Sequence, residues 1–324
     1  MKLNSKNILI TTGDADGIGF EVAAKALCEL PKSYFKSNRI FIFVTTSYQK
    51  KYFDLLSRHF SLNSITLSSE DFALVDFLTP TRKPILNFMI CTDTPADWIF
   101  TLSKVCLEYP LFTALVTGPL SKTLIKDSGY SFIGHTEILA YVSKTKSLFM
   151  GFVGKYFNVI LLTGHIPTSR VSKELKKNNW KAIFKIVGSF RKGLPGKDKP
   201  IAMVGVNPHA GEKGMISTGE ERYLITQIQQ HGGGLNIQGP LVPDAAFLKA
   251  HWGKYSVYLC PYHDQGLIPF KAIHGQDSGV HVTLGLPFVR TSVDHGTAKE
   301  IFGKDRANPN SMKEALLLAE RLLK

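Results

Sequence analysis

The chain has 324 residues, of which 44% are hydrophobic and 20% are charged; this ordinary balance excludes a disordered protein and favours two globular domains. No apolar run approaches the roughly 18 residues that a membrane-spanning helix needs, and the polar start Met1–Lys6 lacks the apolar segment of a secretory signal. The four cysteines are never spaced as C-x-x-C, which favours reduced core thiols over disulfides or a metal site. We therefore expect a cytoplasmic protein.

The formal net charge of +13 raises nucleic acid as a possible partner. Ten Lys or Arg and only two acids lie between Arg170 and Lys199, so this one segment supplies +8 of the total. Apolar residues recur at helical spacing from 180 to 190, while Lys181 and Lys185 fall on the opposite face. This pattern predicts a surface helix with a solvated basic face rather than a nucleic-acid site. General attraction of an anionic substrate stays open as a role for it.

Short apolar strands alternate with helices along the chain. Strands are predicted at 7–12, 39–45, 113–117, 158–163, 201–206 and 256–260, and helices at about 21–30 and 137–142. This alternation is typical of an α/β fold with largely parallel sheets. The first strand leads into the Gly-rich segment 13–19, whose two carboxylates would repel a pyrophosphate. We therefore interpret that segment as a tight turn and not as a dinucleotide-binding loop.

Three histidines follow predicted strands at similar positions. They are His165, His209 and His263, each within a few residues of a strand end. Ligands of open α/β sheets collect at the carboxyl ends of the strands, and three imidazoles suit a divalent metal such as zinc or cobalt with open positions for substrate. Asp264 could orient the neighbouring imidazole. The alternative, three hydrogen-bonded loop residues, stays open from the residues alone.

Two cations and one helix start are candidate anion sites. Lys271 and Arg290 stand in apolar stretches, and a guanidinium fork suits a carboxylate or a phosphate. The segment 134–137 opens a predicted helix, and a helix start favours an anion. Capping of that helix by Thr136 is the simpler explanation of the same residues.

The chain resembles the 4-hydroxythreonine-4-phosphate dehydrogenase family of vitamin B6 biosynthesis. The resemblance extends over nearly the whole chain and keeps the family's order of motifs. The resembling segments are TTGDADGIGFE (11–21), VTGPLSK (116–122), FIGHTEILA (132–140), VNPHAGE (206–212), GPLVPDAAF (239–247), PYHDQGLIPFK (261–271) and VTLGLPFVRTSVDHGTA (282–298).

The resemblance implies an architecture like that of isocitrate and isopropylmalate dehydrogenases. It implies a cofactor-side α/β domain of residues 1–130 and 285–324, a metal, substrate and dimerisation α/β domain of residues 131–284, and an active site in the cleft between them. It also implies a homodimer whose active site is shared, with no membrane or nucleic-acid partner.

The resemblance further assigns site residues. It places the divalent metal, one zinc, cobalt or magnesium ion per subunit, on the three histidines found above. It places substrate binding on His135, Thr136, Lys271 and Arg290. It places the adenine end of NAD, or of NADP, on a loop represented by His295, Gly296, Thr297 and Asn308.

The sequence departs from the family pattern at a few positions. His281 stands where the family's substrate site normally has Asn, so we include it among the substrate-binding residues. The first motif, GDPAGIGPE in the family, has Ala15, Asp16 and Phe20 here. These changes bear on which substrate is bound rather than on the chemistry.

The activity implied is the NAD-dependent oxidation and decarboxylation of 4-phosphooxy-L-threonine to 3-amino-2-oxopropyl phosphate. The general base is one of Lys271, Asp244 and Asp264. A sister enzyme acting on 4-phospho-threonate is the alternative within the family, and a non-catalytic metal- or nucleic-acid-binding protein is the alternative outside it.

Overall fold

The computed structural model describes residues 6–74, 85–111, 113–275 and 278–323. Its strands are β1 (Lys6–Thr11), β2 (Asn38–Thr45), β3 (Ser61–Leu67), β4 (Ile85–Cys91), β5 (Thr113–Thr117), β6 (Phe149–Val153), β7 (Asn158–Leu161), β8 (Ile201–Val204), β9 (Ile237–Leu241), β10 (Val257–Cys260), β11 (Val280–Leu284) and β12 (Val289–Val293). Its helices are α1 (Gly19–Glu29), α2 (Tyr34–Ser37), α3 (Lys50–His59), α4 (Pro95–Glu108), α5 (Lys122–Asp127), α6 (His135–Ser143), α7 (Val171–Leu175), α8 (Trp180–Arg191), α9 (Glu220–His231), α10 (Pro243–Ala246), α11 (His263–His274) and α12 (Asn310–Leu322).

The chain divides into two compact units, and both chain ends belong to the first. Unit 1 consists of Met1–Leu148 and Gln276–Lys324, and unit 2 of Phe149–Gly275. These boundaries differ from the expected ones at 130/131 and 284/285. Helix α6 packs with unit 1 because Ile138 and Leu139 share a hydrophobic cluster with Trp98 of α4. Strand β11 belongs there because it pairs with β12. The roles given to the two domains stay predictions.

Unit 1 is built on a sheet of strand order β3-β4-β2-β1-β5-β12-β11. All of its neighbours pair in parallel except β11 and β12, which are antiparallel. Strands β1, β2 and β5 are almost wholly buried, as expected for parallel strands that are covered on both faces. The predicted α/β architecture with largely parallel sheets is confirmed.

Unit 2 has the strand order β6-β7-β10-β8-β9. Only the pair β6 and β7 is antiparallel, and the others are parallel. The core of this unit contains Phe157, Tyr258 and Phe270, packed edge to face around Phe157. The carboxyl ends of β7, β10 and β8 are therefore neighbours.

The basic segment forms the predicted helix. In α8 the side chains of Trp180, Ile183, Phe184, Val187 and Phe190 are buried. Lys181 and Lys185 are exposed on the opposite face. Among the residues that the structure describes, no helix is both long and apolar enough to cross a membrane.

Candidate active site

A buried arginine lines a cavity in unit 1. Arg290, on β12, is only 2% exposed. Its Nη1 donates to Thr283 Oγ1 at 2.9 Å, its Nη2 donates to Thr117 Oγ1, and its Nη1 lies 3.2 Å from His281 Nδ1. Within the described ranges no carboxylate pairs with this guanidinium. Its positive charge is therefore buried without a negative partner among the described residues of this unit.

Burial lowers the pKa of Arg290 to about 9, and the guanidinium is still charged at neutral pH. A buried charge is costly unless an opposite charge is supplied. The hydroxyls of Thr117 and Thr283 hold the guanidinium in place but do not neutralise it. The arrangement therefore suits an anionic ligand that binds in a planar, two-pronged manner.

Helix α6 begins beside this cavity. Gly134 occupies the N-cap position without a side-chain cap, so the alternative that Thr136 caps the helix is wrong. His135 and Thr136 are instead the first two helical residues, and both line the cavity. Burial, with the nearby charge of Arg290, lowers the pKa of His135 to about 3. The imidazole is therefore neutral at physiological pH, and it can hydrogen-bond an anionic ligand without adding charge.

The cavity has a volume of about 400 Å³ and gathers most of the predicted substrate and cofactor residues of unit 1. Its lining consists of Gly118, Pro119, Leu120, Ser121, Lys122, His135, Thr136, His281, Arg290, Ser292, His295, Gly296 and Thr297. The residues assigned to the substrate and those assigned to the cofactor thus line one cavity, although they lie far apart in the sequence.

Two predicted residues lie elsewhere. Asn308 is not among the lining residues; its Oδ1 accepts a hydrogen bond from Asn310 N at the start of α12. Lys271 is in unit 2, in the last turn of α11, and is exposed. The apolar stretch around Lys271 in the sequence does not shield it, because a helix directs neighbouring side chains to different faces.

The sequence did not single out the segment 118–122 as part of the site. This segment follows β5, which is hydrogen-bonded to β12, the strand that carries Arg290. Its position directly after a buried parallel strand could have indicated that it belongs to the site, because ligands collect at the carboxyl ends of such strands. The polar residues Thr117, Thr283 and Ser292 gave no such signal, because hydroxyl side chains are common in strands.

The three histidines of unit 2 follow neighbouring parallel strands. His165 follows β7, His263 follows β10 and His209 follows β8, and β10 pairs with both of the other strands. The rings of His165 and His263 lie side by side, with centroids 4.8 Å apart. His263 Nδ1 lies 2.7 Å from Asp264 Oδ1, an arrangement that leaves its Nε2 to face a ligand.

His209 differs from the other two. It begins a turn in which His209, Ala210, Gly211, Glu212 and Lys213 all have positive φ. Such a run is strained for residues other than glycine. Over the ranges that the structure describes, no group of three or more His, Cys, Asp or Glu side chains is placed to hold a metal ion. The donor chemistry fits a divalent ion at the His165–His263 pair, and the full three-histidine assignment stays a prediction.

The candidates for the general base are all in unit 2. Asp244 is exposed on α10, and Asp264 is exposed and engaged with His263. Their assignment, like that of Lys271, stays a prediction.

The chain is similar to known proteins over almost its full length. A family model described as "Pyridoxal phosphate biosynthetic protein PdxA" matches residues 102–319. A 4-hydroxythreonine-4-phosphate dehydrogenase of Desulforapulum autotrophicum is 34% identical over 98% of this chain and 95% of its own length. A D-threonate 4-phosphate dehydrogenase of Bordetella bronchiseptica is 37% identical over 65% of this chain and 59% of its own.

A solved structure supports the same relationship. The crystal structure of a 4-hydroxythreonine-4-phosphate dehydrogenase from Burkholderia phymatum aligns with a TM-score of 0.75 and 27% identity, over 98% of each chain.

Proposed function

The chain belongs to the PdxA family of pyridoxal phosphate biosynthetic proteins, a family of dehydrogenases, and from this we propose that it oxidises 4-phosphooxy-L-threonine with NAD. The product is 3-amino-2-oxopropyl phosphate, formed by oxidation and loss of carbon dioxide. NADP is the alternative cofactor. The protein acts in the cytoplasm, in the biosynthesis of pyridoxal 5'-phosphate.

The observation that carries this proposal is the buried, unneutralised guanidinium of Arg290 beside the neutral imidazole of His135. A phosphorylated acid brings the negative charge that this cavity lacks. Thr136, at the start of α6, adds a hydroxyl and the positive end of a helix dipole. The family resemblance also assigns substrate binding to Lys271, which is exposed in unit 2.

In the proposed reaction a base of the chain would take the proton of the substrate's secondary hydroxyl, and NAD, when bound, would supply the acceptor for the hydride that leaves the same carbon. The carbon–carbon bond to the carboxylate would then break and carbon dioxide would leave. The electron pair of the broken bond would stay on the carbon that held the carboxylate until that carbon is protonated. A divalent ion held by the histidines of unit 2 would supply the Lewis acidity that both steps need. Asp264 would fix the ring of His263, and the proton would pass to Asp244, to Asp264 or, if its amine is neutral, to Lys271.

His165, His209 and His263 are the proposed ligands of that ion. Imidazole donors favour zinc or cobalt over magnesium, which prefers oxygen ligands. Loading with each metal in turn, followed by metal analysis, distinguishes the three.

We further propose a homodimer with a shared active site and no nucleic-acid or membrane partner. Exposed apolar side chains in unit 2 support a second copy as the partner, among them Met215 at 80% and Ile268 at 68% exposure. Sedimentation of the purified protein gives its oligomeric state directly.

D-threonate 4-phosphate is the second candidate substrate. It is supported by the Bordetella relative and by His281, whose Nδ1 lies 3.2 Å from Arg290 Nη1 at the cavity wall. An imidazole here changes the hydrogen bonding offered to a ligand of Arg290, so it can alter the choice between an amine and a hydroxyl.

Steady-state assays of NAD reduction on both phosphorylated acids test the proposal. We expect the higher kcat/KM with 4-phosphooxy-L-threonine. His281→Asn should change that value only slightly. A strong switch of preference between the two acids in His281→Asn would make His281 a specificity residue and the preferred substrate wrong.

A further inference from the structure

The turn between β1 and α1 contacts two separate segments of the cavity lining in unit 1. We call residues 118–122 the first wall and residues 295–297 the second wall. Two carboxylates of the turn, Asp14 and Asp16, pair with Lys299, which follows the second wall in the chain, and neither of them lines the cavity. Acidic groups beside a cavity for anionic ligands repel those ligands unless a cation neutralises them.

The turn is fixed to the first wall at three points. Asp14 has a side chain that is 0% exposed, and its Oδ1 accepts a hydrogen bond from Ser121 N at 2.8 Å. Its own backbone N donates to Pro119 O at 3.3 Å. Gly13 has a φ of +74°, and a Cβ there would lie 1.9 Å from Pro119 O, so only glycine permits this approach.

The same turn is fixed to the second wall. Ile18 N donates to Thr297 O at 3.0 Å. Lys299, two residues beyond that wall, places its Nζ 2.8 Å from Asp16 Oδ1 and 3.2 Å from Asp14 Oδ2. Hydrogen bonding to Asp16, together with Asp14, raises the pKa of Lys299. The Asp14 carboxylate therefore holds the first wall with one oxygen and the second wall, through Lys299, with the other.

Charge and burial make this link more than an ordinary surface ion pair. Exposed pairs contribute little to stability, and Lys299 is 46% exposed. Its partner Asp14, however, is fully buried, and a buried carboxylate that loses its cation is left uncompensated. Without Lys299, the carboxylates of Asp14 and Asp16 would leave two negative charges near a cavity that must accept phosphate groups.

We infer that Asp14 and Lys299 are positioning residues that tie the two walls together through the turn, and that the cation of Lys299 also screens the carboxylates of Asp14 and Asp16 from bound anions. The inference rests on the proposed function in one respect, because it takes a nicotinamide dinucleotide as the ligand of the second wall. Asp16, where the family motif has Ala, strengthens the hold on Lys299.

Calorimetric titration of NAD into the full-length protein tests this inference. Lys299→Met should raise the Kd for NAD by about five- to tenfold. The substitution removes one cation, and the carboxylate of Asp14, which is then not neutralised, repels the negative charge of the ligand. Lys299→Arg keeps the cation and should restore binding to within about twofold. Lys313→Met is the matched control, because Lys313 forms a 2.7 Å ion pair with Glu29 and does not line the cavity.

Asp14→Asn separates a positioning role from a merely structural one. It keeps an acceptor for Ser121 N but removes the charge, so Lys299→Met in that background should cost less than in the wild type. Additive effects of the two substitutions would overturn the inference, and so would wild-type affinity for NAD in Lys299→Met. Thermal unfolding of each variant shows whether a loss of affinity is only a loss of fold.

The outcomes also separate this inference from the proposed function. A wild-type protein that binds NAD but oxidises neither phosphorylated acid defeats the proposed function, while the variants still decide the role of Lys299. A wild-type protein that oxidises a phosphorylated acid with NAD, together with a Lys299→Met variant that binds NAD with wild-type affinity, overturns the inference and leaves the proposed function standing.

Discussion

The cavity of unit 1 and the histidine loops of unit 2 are prepared to different degrees. In unit 1 the guanidinium of Arg290 is buried and held by Thr117 and Thr283. In unit 2 only His165 and His263 lie side by side, and His209 stands on a turn with strained backbone. An anion site can be fixed by hydrogen bonds within the protein, whereas a metal site is completed by the ion that its ligands bind.

The largest effect expected concerns the histidines of unit 2. His165→Ala, His209→Ala and His263→Ala should each abolish turnover while leaving the fold intact, because each removes a proposed metal ligand that follows a strand and is not part of the core. Metal analysis should show reduced occupancy in each variant. His231→Ala, at the end of α9, is the control. Full metal occupancy in His209→Ala would break the comparison, because His209 would then be no ligand.

Arg290→Lys should have the next largest effect. A lysine keeps the charge but cannot hold both threonine hydroxyls and grip two anionic oxygens, so kcat/KM for the phosphorylated acid should fall roughly ten- to a hundredfold. The KM for NAD should stay nearly unchanged. Arg39→Lys, which replaces another buried arginine of unit 1 that lies outside the cavity lining, is the control. Equal losses in the two variants would mean that the effect is structural.

The neutral state of His135 predicts a dependence of stability on pH. Its pKa is about 3 in the folded chain, against an ordinary value of 6.5, so the unfolded chain takes up the proton first as the pH falls. Stability should therefore be lost between pH 6.5 and 3, by about 1–2 kcal/mol once the half-buried state of His135 in the folded chain is allowed for.

Urea unfolding at a series of pH values measures this term. His135→Asn should show a smaller loss of stability on acidification than the wild type, and His231→Asn should not. Parallel curves for the wild type and His135→Asn would show that His135 is not held neutral by the cavity.

The smallest effect is expected for the basic face of α8. Lys181→Glu with Lys185→Glu should leave kcat/KM within about twofold, because these side chains are solvated. Binding of the wild type to DNA should be weak and should disappear as salt increases. Tight, salt-resistant binding in a mobility-shift assay would overturn the proposal that nucleic acid is no partner.

Local patterns in the sequence determined most of the fold. The predicted strand at 113–117 coincides with β5, and the helical spacing of apolar residues in the basic segment gives the buried face of α8. Both signals come from short-range periodicity. The strand ends also located His165, His209 and His263 on neighbouring strands, because the ends of parallel strands meet at one edge of a sheet.

Only the tertiary structure decided how deeply each charged group is buried and what it contacts. In the sequence Lys271 and Arg290 looked equivalent, yet Lys271 is exposed on a helix while Arg290 is 2% exposed inside a sheet. In the sequence the carboxylates of Asp14 and Asp16 likewise indicate repulsion of a phosphate, whereas in the structure Lys299 pairs with both of them. Burial and pairing of charges depend on residues that are hundreds of positions apart, and neither composition nor periodicity contains that information.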